Sequence, residues 1–270
     1  MAQWDVNGKV VLVTGGAAGI GAKLVRGLLA RNARYVAFLD VAAKEGAALE
    51  GELLNKFGAL RVKFIKCDMA DADQVDNAYK QILDKYRRLD AVVNCAAVLS
   101  DAKSSYKTMV DVNFCGTVTS TLKAFEIMRA DKGGGGGVVI NVSSLHAFQP
   151  CSYLSVYGAT KAAVLQFSNS FAAEEAYTET KVRVITVCLG PTDTALVHKL
   201  NLENSAKDSL GLTSGAEPQR VESAVTGIIE VIHCGENGTT WIIANDKAAL
   251  DVTKSVKQGL EILSNVAKGL

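Results

Sequence analysis

Short apolar runs recur at Val10 to Val13, Tyr35 to Leu39, Val62 to Ile65, Ala91 to Val93, Val138 to Val142, Val182 to Val187 and Thr239 to Ile243. The stretches between them are long enough for helices, which is the βα alternation of a layered α/β domain. The runs lack strict polar alternation, so the strands are expected to be buried on both faces, in a parallel sheet covered by helices. The pattern predicts one α/β domain over residues 1–270, a Rossmann-type doubly wound parallel sheet.

Two segments interrupt the alternation. Gly133 to Gly137 reads as a flexible loop ahead of a strand. Ala195 to Glu217 mixes Leu with Ser, Asn and Gly and follows a strand end, where ligands gather in such sheets; it is expected to form a substrate lid. Near the end of the chain Val252, Val256, Leu260, Leu263 and Val266 recur at helical spacing, which predicts a docked terminal helix or a subunit contact.

Composition narrows the function classes. A net charge of +1 over 270 residues carries no nucleic-acid footprint. No apolar stretch approaches the ~20 residues that cross a bilayer, and the amino terminus has no basic-then-apolar leader, so a cytoplasmic enzyme without a membrane partner is expected. The six cysteines, at 67, 95, 115, 151, 188 and 234, show no C-x-x-C pair and no metal-ligand spacing, and read as buried reduced thiols.

The chemistry concentrates at strand ends. After the first run, Thr14-Gly-Gly-Ala-Ala-Gly-Ile-Gly21 places Gly15, Gly19, Ile20 and Gly21 in a turn that opens a helix. Glycines there let the backbone approach a pyrophosphate, and the helix start offers amide hydrogens to it. Asp40 ends the second run, where a carboxylate accepts hydrogen bonds from both adenosine ribose hydroxyls and repels a 2'-phosphate; NAD is therefore expected over NADP. Asp68 and Met69 after the third run, and Asn94 and Ala96 after the fourth, lie where the adenine ring and cofactor backbone pass.

Tyr157 and Lys161 stand one helical turn apart, and Ser144 precedes the tyrosine by thirteen residues. A phenol is a poor base at neutral pH; a cation at i+4 and an oxidised nicotinamide would both favour the phenolate. Ser144 and its competitor Ser143 point opposite ways on a strand, and the spacing favours Ser144 as the hydroxyl that bonds the substrate oxygen. A second pair, Tyr177 and Lys181, has Val164 at the corresponding upstream position and no hydroxyl partner. His146 is expected to line the substrate pocket or to face solvent, and Asn113 is a polar residue in an apolar helical stretch, able to hold a relay water. No Gly-x-Ser-x-Gly elbow surrounds Ser143 or Ser144, which argues against a serine hydrolase.

The set Thr14-Gly-x-x-x-Gly-Ile-Gly21, Asp68, Asn94-Cys-Ala-Ala97, Asn113, Ser144 and Tyr157-Gly-Ala-Thr-Lys161 resembles the short-chain dehydrogenase/reductase family over nearly the whole chain. Within it, Val139 to Leu145 and Cys188 to Leu196 are similar to the NAD-dependent 15-hydroxyprostaglandin dehydrogenases and the insect alcohol dehydrogenases. The resemblance implies Tyr157 as acid/base, Lys161 on the nicotinamide ribose, Ser144 orienting substrate, Asn113 completing a proton relay, and Thr192 and Thr194 beside the nicotinamide. It also implies a homodimer or homotetramer.

Three departures from that pattern stand out. Leu154 replaces a glutamine of the prostaglandin enzymes, pointing to a lipophilic alcohol or ketone. Ala97 replaces a glycine, and Leu189-Gly190-Pro191 displaces the usual proline, which removes the Pro191 amide hydrogen from a loop expected to contact the carboxamide. These departures leave a second reading open, a relative that keeps the fold without turnover. A nucleotide-sugar epimerase is disfavoured, for want of its glycine turn and its longer carboxy-terminal domain.

Overall fold

Every apolar run forms a strand. In the computed structural model of the protein, which describes residues 4–100, 103–172, 177–198 and 218–269, they become β1 (Val10–Thr14), β2 (Tyr35–Asp40), β3 (Val62–Lys66), β4 (Ala91–Asn94), β5 (Gly137–Ser144), β6 (Val182–Leu189) and β7 (Thr240–Ile243). All seven run parallel in the order β3-β2-β1-β4-β5-β6-β7. A two-residue strand, β8 (Leu250–Asp251), adds antiparallel to β7.

The sheet has a core on each face, which explains the unbroken apolar runs. Val11, Val13, Val36, Phe38, Val93 and Ile140 point into one core, with Leu24, Val25, Leu28 and Leu29 of helix α1 (Gly19–Ala30), Leu49 and Leu53 of α2 (Ala43–Phe57), and Val225, Ile228 and Ile232 of the helix Val221–Cys234. The intervening Val10, Leu12, Ala37, Leu39, Val92 and Val139 point the other way, onto Val75, Ala78 and Ile82 of α3 (Ala72–Tyr86) and onto Ala124 and Met128. Successive strand residues thus feed opposite cores. The fold is a doubly wound Rossmann-type α/β sheet.

Three more helices bring residues to the strand ends: α4 (Tyr106–Val110), α5 (Thr117–Met128), joined to α4 through a π-helical turn at Asp111–Gly116, and α6 (Ser155–Ala172). The strand order reverses between β1 and β4, which opens a crevice at their carboxyl ends. Thr14, the last residue of β1, spans it: its Oγ1 accepts from the N–H groups of Cys95 (3.1 Å) and Ala96 (3.1 Å).

Several expectations change. The Gly133–Gly137 stretch is not a free loop: Gly134 N–H donates to Arg129 O, Gly136 N–H to Met128 O, and Gly137 already belongs to β5. The terminal helix Thr253–Lys268 forms, but none of its residues is buried, and Ile262, Leu263 and Val266 are each more than 60% exposed. Cys115 and Cys234 are also exposed, on the π-helical turn and at the last position of a helix; only Cys67, Cys151 and Cys188 are buried. Of the expected lid, Ala195–His198 is helical and residues 199–217 lie outside the described residues.

Candidate active site

A cavity of about 470 Å³ occupies the crevice, lined by Gly15, Gly19, Ile20 and Gly21, by Asp40, by Asp68 and Met69, by Cys95 to Val98, and by Thr194. The turn is shaped by what glycine lacks. Gly15 has a φ of 68°, and a Cβ there would stand 2.7 Å from Ala96 Cα; a Cβ on Gly21 would stand 2.0 Å from Gly15 O. The first turn of α1 has no side-chain cap and no acidic residue, so its amide hydrogens remain available to an anion. The Asp40 carboxylate closes this end, accepting from Ala17 N–H (3.0 Å) and Ala42 N–H (3.0 Å) while lining the cavity. A glycine cradle, an uncapped helix start and a carboxylate beside them together fit a dinucleotide.

Asn94 stands differently from its sequence reading. Its amide points into the protein, donating to Thr121 Oγ1 (3.1 Å) and Asn141 Oδ1 (2.8 Å) and accepting from Ser120 Oγ (2.6 Å). Asn141 in turn donates to Ser168 Oγ (2.9 Å), so this buried network bolts β4 and β5 to α5 and α6. The residues after it, Cys95 to Val98, face the cavity instead. Asp68 lines the wall and accepts from Ala70 N–H (2.9 Å).

At the end of β5 the two serines separate as a strand requires. Ser143 Oγ donates to Lys161 O (2.8 Å), pinning α6 to the sheet. Ser144 faces the other way, accepting from His146 N–H (3.2 Å), and its side chain opposes the rise of the Tyr157 phenol. Lys161 is buried, its Nζ donating to Val142 O (3.0 Å) and standing 5.7 Å from the Tyr157 ring centre. Asn113, in the π-helical turn, accepts from Val98 N–H (2.7 Å) and donates to Val98 O (2.9 Å) and Thr160 Oγ1 (3.2 Å). Its amide fixes the cavity wall to α6.

Burial governs the electrostatics. It pushes the Tyr157 phenol up to about 12, with Ser144 pulling the other way, and brings the Lys161 ammonium down to about 8. This is opposite in direction to the depression expected of Tyr157. The ammonium spends its hydrogen bond on a strand carbonyl and lies over the ring rather than at the phenol oxygen. Burial likewise lowers the His146 imidazole. That ring meets Tyr157 edge-on at 6.2 Å, and its buried Nδ1 has no partner among the described residues.

Leu154 is buried in an apolar cluster with Met109, Cys151 and Tyr157, backed by Val98 and Leu99. Thr192 is buried, its Oγ1 donating to Gly190 O (2.9 Å), whereas Thr194 stands on the cavity wall. The other Tyr/Lys pair flanks the helix Tyr177–Thr180 ahead of β6, away from the carboxyl ends of the strands.

Comparisons with known proteins show the family. The human 15-hydroxyprostaglandin dehydrogenase [NAD(+)] is 34% identical over 200 residues, covering 74% of this chain and 74% of that one. Alcohol dehydrogenase 2 of Ceratitis cosyra is 30% identical over 255 residues, covering 93% of this chain and 96% of the relative. The crystal structure of levodione reductase superposes with a TM-score of 0.77 over 88% of this chain and 97% of its own, at 21% identity, and shares the fold. The short chain dehydrogenase profile matches residues 9–205. With the glycine turn, the strand-end carboxylate and the serine, tyrosine and lysine gathered at one crevice, the chain belongs to the short chain dehydrogenase family.

Proposed function

We propose that this protein is an NAD-dependent oxidoreductase that moves a hydride between the nicotinamide and the carbinol carbon of a lipophilic alcohol, or in reverse to a carbonyl. The observation that carries the reading is the convergence of Ser144, Tyr157 and Lys161 at the end of β5, beside a glycine-lined cavity with Asp40 at its other end. Asp40 supports NAD, since a carboxylate there receives two ribose hydroxyls and repels a phosphate.

Bound NAD supplies the hydride acceptor, and this chain's residues handle the proton. Ser144 Oγ donates to the substrate oxygen, and Tyr157, as the phenolate that the positive nicotinamide would favour, takes the hydroxyl proton as the C–H bond gives up its hydride. Lys161, brought down to about 8, is suited to pass that proton onward. Asn113 holds the Val98 wall and α6 in register. The apolar cluster of Met109, Cys151 and Leu154 around Tyr157, with half-exposed Phe148 and Tyr153 on the same connection, supports a lipophilic substrate.

The wider reading is a single catalytic domain over residues 1–270 with a substrate lid at 195–217, working in the cytoplasm as a homodimer or homotetramer. Six free thiols suit a reducing compartment, and among the described residues no helix is long and apolar enough to cross a membrane. The uncovered apolar positions of Thr253–Lys268 support self-association.

NADH fluorescence on mixing the protein with NAD and alcohols graded from short aliphatic to isoprenoid, steroid and hydroxylated fatty acids tests the reading. Signal growth within one lipophilic class is expected. Silence across the panel, and with the matching carbonyls plus NADH, despite tight cofactor binding, would return the weight to a protein without turnover.

A further inference from the structure

We propose that Gln219 is a positioning residue that holds the loop Gly190 to Thr194 in the shape the nicotinamide end of the cofactor requires. This rests on the NAD reading above. The loop leaves β6 where Leu189 pairs with Ser144, so it passes the chemical end of the crevice and returns Thr194 to the cavity wall. Pro191 in that loop has no amide hydrogen, and the loop therefore depends on other groups to fix it.

Gln219 supplies them from across the chain. It pairs with Thr192 in a parallel bridge: Gln219 N–H donates to Pro191 O (2.9 Å), and Asp193 N–H donates to Gln219 O (2.9 Å). Its side chain is 2% exposed, and Nε2 donates both to Thr192 Oγ1 (3.0 Å) and to Ile243 O (3.0 Å) at the end of β7. Thr192 Oγ1 passes the restraint on by donating to Gly190 O (2.9 Å). One side chain thus ties the loop, through a threonine hydroxyl, to the last strand of the parallel sheet. The amide orientation is fixed by chemistry: Ile243 O only accepts, and Thr192 Oγ1 has given its proton to Gly190 O. The remaining atom, Oε1, is buried without a partner among the described residues. A leucine or methionine would fill the same volume without that cost, so the glutamine is explained by its two donors.

The test separates the two ends of the cofactor. Binding of NADH and of ADP-ribose, which lacks the nicotinamide, is measured by calorimetry on the full chain and on Gln219→Met, which keeps length and removes the donors. NADH is expected to bind at least tenfold more weakly to the variant, while ADP-ribose stays within twofold. Thr192→Val, which breaks the same relay at its other end, is expected to give the same split and serves if Gln219→Met does not fold. Equal weakening of both ligands, or unchanged NADH affinity, would overturn the proposal. A wild-type protein that binds neither ligand would instead bring down the NAD reading on which it rests.

Discussion

Lys161→Met should abolish turnover and yet stabilise the protein at neutral pH. The ammonium is 3% exposed, has no carboxylate partner among the described residues, and is brought from its usual 10.5 down to about 8 by burial. At about 1.4 kcal/mol per unit, keeping it charged in the folded state costs about 3 kcal/mol, offset in part by its hydrogen bond to Val142 O. The sign follows from proton counts. Between about 8 and 10.5 the unfolded lysine still holds a proton that the folded one has lost, so stability rises with pH across that window. Below it the cost is fully present.

The assay is denaturant unfolding of wild type and Lys161→Met at pH 7 and pH 10. The difference between the two proteins isolates Lys161, because the raised phenols of Tyr35, Tyr79 and Tyr157 are common to both. The advantage of the variant should shrink by about 2 to 3 kcal/mol from pH 7 to pH 10. A difference that does not change with pH, or a variant no more stable than wild type at pH 7, would refute the reasoning.

Other substitutions probe the cofactor end and the pocket. Asp40→Ala should narrow the NAD to NADP preference roughly tenfold, measured as a ratio of kcat/KM values; an unchanged ratio removes Asp40 from cofactor choice. Gly21→Ala would put a methyl 2.0 Å from Gly15 O and force the turn open, so NADH affinity should fall by roughly two orders of magnitude, and titration within a few-fold of wild type would contradict the placement of the turn. Burial lowers His146 below its usual 6.5, so its stabilising contribution is present above that pH and is lost as pH falls through the lowered value. His146→Asn should therefore flatten the acid limb of the unfolding profile below pH 6.5, and an unaltered limb would place the histidine in solvent.

Strands and cofactor turn were legible because each is local. β-branched runs specify strands directly, and the glycine turn, Asp40, Ser144, Tyr157 and Lys161 lie at spacings that strand and helix periods convert into geometry. That Ser143 and Ser144 face opposite ways was legible in the same way, and Ser143 clamps α6. Direction was harder. Asn94 lies at a strand end as expected, but only the buried side chains of Ser120, Thr121 and Asn141, more than twenty residues away, determine that its amide turns inward. The pKa of Tyr157 depends on burial and on where Lys161 Nζ points, which spacing does not encode. Gln219 left no local signal, since its partners Thr192 and Ile243 are 27 and 24 residues away. The terminal helix shows the limit from the other side: its apolar spacing predicted the helix correctly, but a face on one helix does not say what it packs against.

The central claim is that Tyr157 is the acid/base of an NAD-dependent hydride transfer. A single-turnover experiment, with enzyme in excess over NAD and a substrate alcohol from the active class, compares wild type with Tyr157→Phe by the appearance of NADH, alongside NADH affinity by titration. Loss of NADH formation in the variant with affinity held within a few-fold is expected, because in the proposed mechanism the phenol oxygen carries the proton and is one of several cofactor contacts. NADH formation by Tyr157→Phe at a rate near wild type would contradict it.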